Sequence, residues 1–580
     1  MRTRAVAAVL VACLVAGCHG GGDDSPPPNP GTAGQQFVVT PANIGFAAAG
    51  TGSPIPAART VMATVTGPTG GTLFAHLVVS GAAVDATTST VEILNPTQAR
   101  ITVRPASPSV LGPGKFTSTI TLIACSTDSA CSGAQIGGSP ATINVAYQIG
   151  AQTPPPESLA PSVGAASVQG DVVLRGTGFG SVTSVTFGGT PAVDVAALSD
   201  SEIRATYPAL AAGTLNISLN ANGSAVPFGQ SLTLVPAGTL AAAQLAYVTT
   251  PQNMRGLAFD PVTQTLFVGV GFSSPTNNQV LSYTFASGLW QLPQSATVVN
   301  LRNIALSLDR ARLLALTDTS VVELSPTSLI VQATTLPGDV NTTTPDAFLK
   351  GIVPTNDGQA FITSSSPTTT GQHWLYNVAA RTITGPFNSY AFPATGGPDN
   401  GTRAVIVQGG AALPVQQYNA FTGLVSASTV SLSHFHPVAG RVENINLPAF
   451  DRSGSRMLVA AFNGGTFHAV YDANFDELGR VPSGDLTATT AAYAISPDAA
   501  RAYILQIGAG ICRVRAFDLK TSPGAGVQYP EVTLTGFPIN LSPNCPGSAF
   551  DTPSRILLNP PGDTLFIAGD RLIRVVRLPG

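Results

Sequence analysis

The sequence predicts an all-β chain: two N-terminal Ig-like β-sandwiches followed by a seven-bladed β-propeller. Three observations carry this expectation. Gly (60) and Pro (47) punctuate a chain whose hydrophobic share is 44% and whose charged share is only 10%, a mixture suited to short strands and tight turns. Apolar and polar residues alternate with period two between those turns, and helix-forming runs of Glu, Lys and Leu are missing. A strand-turn-strand unit then recurs through the C-terminal part. At 580 residues the chain exceeds what one core sustains, about 250 to 300 residues, so several domains are required.

The N-terminus comes first. Arg2 and Arg4 form a positive region, Ala5 to Val15 an apolar run, and Val15-Ala16-Gly17 a small-residue approach to Cys18, the pattern of an export signal over residues 1–17. The apolar run is far shorter than the ~20 residues a spanning helix needs. Val15-Ala16-Gly17-Cys18 resembles the bacterial lipobox. That resemblance implies that Cys18 becomes the first residue of the mature protein and carries the lipid that anchors it to a membrane. His19, in place of Asp, resembles the signal for outer-membrane delivery. Residues 18–35 are rich in Gly, Asp, Pro, Ser and Asn and read as an extended tether.

With Cys13 inside the export signal and Cys18 acylated, four of the six cysteines remain, an even number for an oxidising compartment. Cys125 and Cys131 flank a polar turn in "LIACSTDSACSG", which predicts a local disulfide; Cys512 then pairs with Cys545 by elimination. Neither pair has the second close ligand pair of a zinc site, so neither a metal nor a cofactor is expected.

Over residues 36–150, runs such as "ARTVMATVTG", "QARITVRP" and "FTSTITLIAC" alternate between Gly/Pro/Ser turns, the signal of an antiparallel sandwich. The last run, ending at Tyr147, reads as a closing edge strand. Residues 151–158 contain a proline triplet and read as a semi-rigid linker.

In residues 159–236, Gly176, Gly178 and Gly180 do not have the G-x-G-x-x-G spacing, and a strand rather than a helix follows them, which excludes a dinucleotide loop. The glycines instead suit a turn with positive φ, with Phe179 plugging the core. The "G-x-G-F" turn, the "V-x-F-G-G-x-x-A" hairpin and "S-D-x-x-I-x-A-x-x-P" at Ser199 to Pro208 together resemble an IPT/TIG domain. The resemblance implies an Ig-like fold and, in extracellular settings, a spacer or contact module.

Residues 240–580 carry the repeat: "GLAFDPVTQTLFVGV", "NIALSLDRARLLALT", "KGIVPTNDGQAFITS", "NGTRAVIVQ", "LPAFDRSGSRMLVAA", "AYAISPDAARAYILQ" and "RILLNPPGDTLFIAG". Seven units at the spacing of one four-stranded blade predict seven blades. The last unit lacks a fourth strand, and "AQLAYVTT" from Ala243 to Thr250 is placed to supply it and close the ring. The turns resemble, in type, those of YVTN/lactonase-like propellers.

The chemistry is sparse. A net charge of -3, with lysine only at Lys115, Lys350 and Lys520, argues against a nucleic-acid partner. No G-x-S-x-G, H-E-x-x-H or P-loop occurs. His434 and His436 would lie on one strand face ~7 Å apart and could share a metal if another blade gave a third ligand, but they read as surface or loop histidines. His373 and His468 carry less weight still. Asp260, Asp309, Asp451 and Asp498 recur at one place in each unit, which points to capping of turn N–H groups rather than catalysis, so no catalytic residue is assigned. Trp290 and Trp374, the two tryptophans, sit in strand contexts rather than as glycan platforms.

The favoured function is therefore a membrane-anchored lipoprotein, at the surface or in the periplasm, that binds, scaffolds or adheres to a protein or glycan through a propeller on an Ig-like stalk. The alternative is a lactonase-like or other hydrolase with its site in the central channel. An enzyme requires carboxylates or histidines converging at a channel mouth, whereas a binding module requires an exposed apolar and aromatic patch.

Overall fold

The computed structural model describes residues 10–14 and most of 36–578; the longest stretches outside the description are 126–135, 150–157, 337–347, 433–443, 482–488 and 542–555. Cys18, Cys131, Cys545, His434, His436 and the tether lie outside the described residues. No described helix is long and apolar enough to cross a membrane.

The fold is all-β, as expected. In the first sandwich one sheet runs Leu10–Leu14, Leu73–Gly81, Gly114–Cys125, Ala141–Ile149, Asn43–Ala48, and the facing sheet Gln36–Thr40, Arg59–Thr66, Gln98–Val103, Thr90–Asn95. Alternate residues point inward, so Val61, Ile101, Ile120 and Ile143 from both sheets are fully enclosed in one core. The strand containing Tyr147 is not the edge that the sequence suggests. Ala141–Ile149 sits between Gly114–Cys125 and Asn43–Ala48, pairing with the latter in parallel at Phe46 and Tyr147. Burial explains this: Tyr147 is inaccessible and packs edge-on against Phe46 at 5.9 Å, a place no solvent-facing edge offers.

The second sandwich packs Ser158–Ala160, Gly170–Arg175, Glu202–Tyr207 and Asp194–Ser199 against Val163–Ala165, Ser224–Val235, Gly213–Ala221, Val182–Phe187 and Thr190–Pro191. Ser158 already belongs to its first strand, so the linker ends earlier than the sequence suggests. Gly178 adopts φ of 75°, a left-handed turn that costs glycine little. The turn drops Phe179 into the core, where its ring lies 6.3 Å from that of Phe228.

Seven sheets follow, one per blade. Their innermost strands are Asn253–Asp260, Asn303–Leu306, Phe348–Pro354, Ala394–Gly396, Ala449–Phe450 (with Asn444–Ile445), Thr489–Ile495 and Ile556–Leu558. Each blade is buried on both faces. In Leu313–Leu316, Leu313 and Ala315 pack toward blade 1 while Leu314 and Leu316 pack toward blade 3, which is why that strand reads as an unbroken apolar run. The ring closes as the sequence predicts. Ala243–Ala246 pairs antiparallel with Leu572–Arg577, Ala243 opposite Val575, and gives blade 7 its fourth strand.

Candidate functional site

Each innermost strand ends in a turn at the same end of the propeller, and the repeated acidic residues make those turns. The Asp309 carboxylate accepts the Ala311 N–H at 3.0 Å and the Ser307 hydroxyl at 2.6 Å; Asp498 repeats this with Ala500 at 3.1 Å and Ser496 at 2.5 Å. Asp260 and Asp451 accept the N–H groups of Val262 and Ser453 at 3.0 and 3.1 Å. Bonds between turns bind neighbouring blades. Arg310 donates to Asp260 at 3.0 Å, Asn356 to the Asn400 carbonyl at 3.0 Å, and Asn400 to the Ser453 carbonyl at 3.3 Å. The Arg452 guanidinium reaches across to the carbonyl of Pro560 in blade 7.

Inside this girdle lies a cavity of about 400 Å³, lined by the innermost strands and turns of all seven blades. Its remaining wall belongs to the second sandwich: Pro161, Val163, Asp171 and Tyr207 face the channel. Beside them Ser162 donates both its backbone N–H and its hydroxyl to the Leu308 carbonyl, each at 3.3 Å. The IPT/TIG-like sandwich therefore sits on the turn end of the propeller channel.

The polar groups at this junction fall into two sets. Asp171 is engaged by Arg204 at 2.5 Å and Thr206 at 2.6 Å, within its own sandwich. Arg310 is spent on Asp260. By contrast, Asp399, Arg452 and Tyr207 face the cavity, and Asp399 is exposed there. Burial pushes the Asp399 carboxyl above its ordinary range; the Arg452 guanidinium opposes that rise and Asp451 adds to it. Burial likewise raises the Tyr207 phenol, with Arg452 again opposing.

Away from the cavity, charged groups of the three domains influence one another. Glu202 pairs with Arg175 at 3.1 Å. Burial raises its carboxyl, Arg175 and Lys115 of the first sandwich counteract this, and Asp357 of blade 3 reinforces it. Asp357 in turn accepts the Tyr418 hydroxyl, whose phenol is raised by burial and by that carboxylate.

The other expected site residues lie elsewhere. Cys125 ends a strand of the first sandwich and Cys512 lies in the core between blades 6 and 7; both are buried and disulfide-bonded, with the expected partners outside the described residues. His373 packs 5.1 Å from the Phe361 ring, and His468 is buried, its imidazole lowered to about 4 by desolvation and by Arg515. Trp374 is enclosed, and Trp290 packs at a tilt against Phe285, centroids 5.3 Å apart, and donates to the Ala241 carbonyl at 3.2 Å, so neither forms an open platform. Among the described residues no group of three His, Cys, Asp or Glu side chains is arranged to hold a metal ion.

Sequence reasoning missed Asp399, Arg452 and Tyr207. "GPDNG" and "FDRSG" look like any other turn of the repeat, and Tyr207 lies in a sandwich motif whose core role hides its hydroxyl. The available signal was position, because Asp399 and Arg452 are charged residues beside the turn-capping Asn400 and Asp451.

Residues 154–234 match the family model described as the IPT/TIG domain. No curated protein matches the chain. Among solved structures, the chain is similar to "Kuenenia stuttgartiensis Hydrazine Synthase", with 15% identity, a TM-score of 0.42, and coverage of 57% of this chain and 97% of that one. It is also similar to "Structure of U3-55K", with 11% identity, a TM-score of 0.40, and coverage of 58% and 98%. An IPT/TIG domain, within an all-β chain of two sandwiches and a propeller, is thus what the comparisons and the fold establish together.

Proposed function

We propose that the chain is an exported, lipid-anchored binding and scaffolding protein. Cys18 carries the lipid, the two sandwiches form the stalk, and the propeller is presented to a protein or glycan partner at an outer-membrane surface. The observation that carries the reading is the seat of the second sandwich on the turn end of the channel, with Ser162 bonded to Leu308. A module held there leaves the opposite end of the propeller for a partner. Disulfides joining Cys125 to Cys131 and Cys512 to Cys545 belong to the same reading, supported by the oxidised state of Cys125 and Cys512. Cleavage before Cys18 removes Leu10–Leu14 from the first sandwich and leaves Leu73–Gly81 as its edge.

The hydrolytic alternative has one observation in its favour, a channel cavity with Asp399 and Arg452 facing it. Metabolic acyl labelling tests the anchor: wild type takes up label and Cys18→Ala does not, while retained label refutes it. A lactone and ester hydrolysis panel on the purified chain separates the two functions. Turnover that is lost in Asp399→Asn overturns the binding reading.

A further inference from the structure

Three polar groups, Tyr207, Asp399 and Arg452, face the cavity between the second sandwich and the propeller. Tyr207 is only 2% exposed, yet its hydroxyl makes no hydrogen bond among the described residues. That hydroxyl lies against Gly164 and Gly170, where a Cβ would collide with it, so both strands are shaped around it. The hydroxyl opens onto the cavity, where a bound group can accept its hydrogen bond. Asp399 likewise has no ion pair or hydrogen bond among the described residues. The Arg452 guanidinium gives one bond to the Pro560 carbonyl and meets no other acceptor among them.

The walls are of a different kind. Pro354, Pro398, Pro448 and Pro497, with Phe450 and Leu558, line the cavity with rigid apolar surface. A volume of about 400 Å³ falls in the range of small-molecule pockets, ~300–1,000 Å³. Arg452 calls for an anion, for which a carboxylate fits the planar fork. Asp399 calls for a donor, best a cation. The apolar wall calls for a hydrocarbon group next to both.

We propose that this cavity binds a free α-amino acid with an apolar side chain, its carboxylate on Arg452, its ammonium on Asp399 and its hydrocarbon on the proline-lined wall. The Tyr207 hydroxyl donates to the same carboxylate. This site is separate from the macromolecular partner proposed above and does not rest on it.

Titration calorimetry on the purified full chain tests it, using leucine and phenylalanine beside 4-methylpentanoate, which lacks the ammonium, and isoamylamine, which lacks the carboxylate. The amino acids are expected to bind at least tenfold more tightly than either single-charge analogue. Asp399→Asn should weaken leucine at least tenfold and leave 4-methylpentanoate unchanged; Tyr207→Phe should weaken both by a similar factor. Absence of binding to the wild type at ~10 mM leucine or phenylalanine overturns the proposal, since such a ceiling excludes any affinity of functional use. So does an Asp399→Asn chain that binds leucine as the wild type does. Should Asp399→Asn fail to fold, the wild-type comparison of leucine with its two analogues decides alone.

Discussion

Ser162 and Leu308 are joined by two hydrogen bonds onto one carbonyl oxygen, each 3.3 Å long, and through them the second sandwich is fixed to blade 2. The contact places the second sandwich as one wall of the cavity at the channel mouth. Several consequences of the packing around it can be measured.

Ring closure rests on a short strand. Leu245 is 7% exposed and packs between blades 7 and 1 opposite Ile573. Leu245→Asp places an unpaired charge in that core and should cost about 3 kcal/mol in urea unfolding, because it also reopens the sheet edge of blade 7. A change under ~0.5 kcal/mol, the level of surface substitutions, would show that the strand is not needed for closure.

Glu323 is fully buried between blades 2 and 3, accepting the Tyr376 hydroxyl at 2.6 Å and Arg381 at 3.0 Å, with Arg312 at 3.4 Å. Burial and the Glu323 contact push the Tyr376 phenol up to about 12. Glu323→Ala leaves that hydroxyl and two guanidinium groups without their anion. A loss of about 3–5 kcal/mol is expected by chemical denaturation.

The turn preceding each second strand passes through one left-handed residue, filled by glycine at Gly358 and Gly562 but by alanine at Ala499, with φ of 60°. The left-handed conformation costs a non-glycine residue ~1–2 kcal/mol, and glycine gives back up to ~1 kcal/mol through its freer unfolded chain. Ala499→Gly should therefore raise the thermal midpoint slightly. A fall would show that the alanine methyl is packed to advantage.

Asp399 and His468 give opposite pH signatures. The Asp399 carboxyl is raised by burial, against Arg452 and with Asp451, so the folded state binds its proton more tightly than the unfolded state does. Stability from this group is lost as pH rises through the window above the ordinary carboxyl value of 3.8. Asp399→Asn should thus stabilise the unliganded protein at pH 7, and equal midpoints at pH 7 would contradict the shift. The His468 imidazole is lowered from 6.5 to about 4, so there stability is lost as pH falls through that interval. His468→Leu should flatten the decline between pH 6.5 and 4.

Much of this architecture was legible in the chain. The doubly buried run around Leu313, the Phe179 plug and the closing strand at Ala243 each follow from local pattern, because the interaction that fixes them repeats or lies beside its own turn. Ala141–Ile149 reads as an edge in the sequence but is an inner strand, since alternation reports which faces are buried and not which strand is the neighbour. The candidate site was not legible. Asp399 and Arg452 are turn residues to any local rule, and what makes them distinctive is a wall supplied by Tyr207, distant in the chain and placed only by domain packing.

The second sandwich is seated on the turn end of the propeller channel, and a cross-link tests that seat most directly. Ser162→Cys combined with Leu308→Cys places one cysteine on each side of the observed backbone contact, where a short thiol-to-thiol bismaleimide can span them. Treated with it, the folded double variant should yield one cross-linked peptide pair joining positions 162 and 308 by mass spectrometry. Folded protein in which both cysteines react with the reagent but are never joined to each other would contradict this seat.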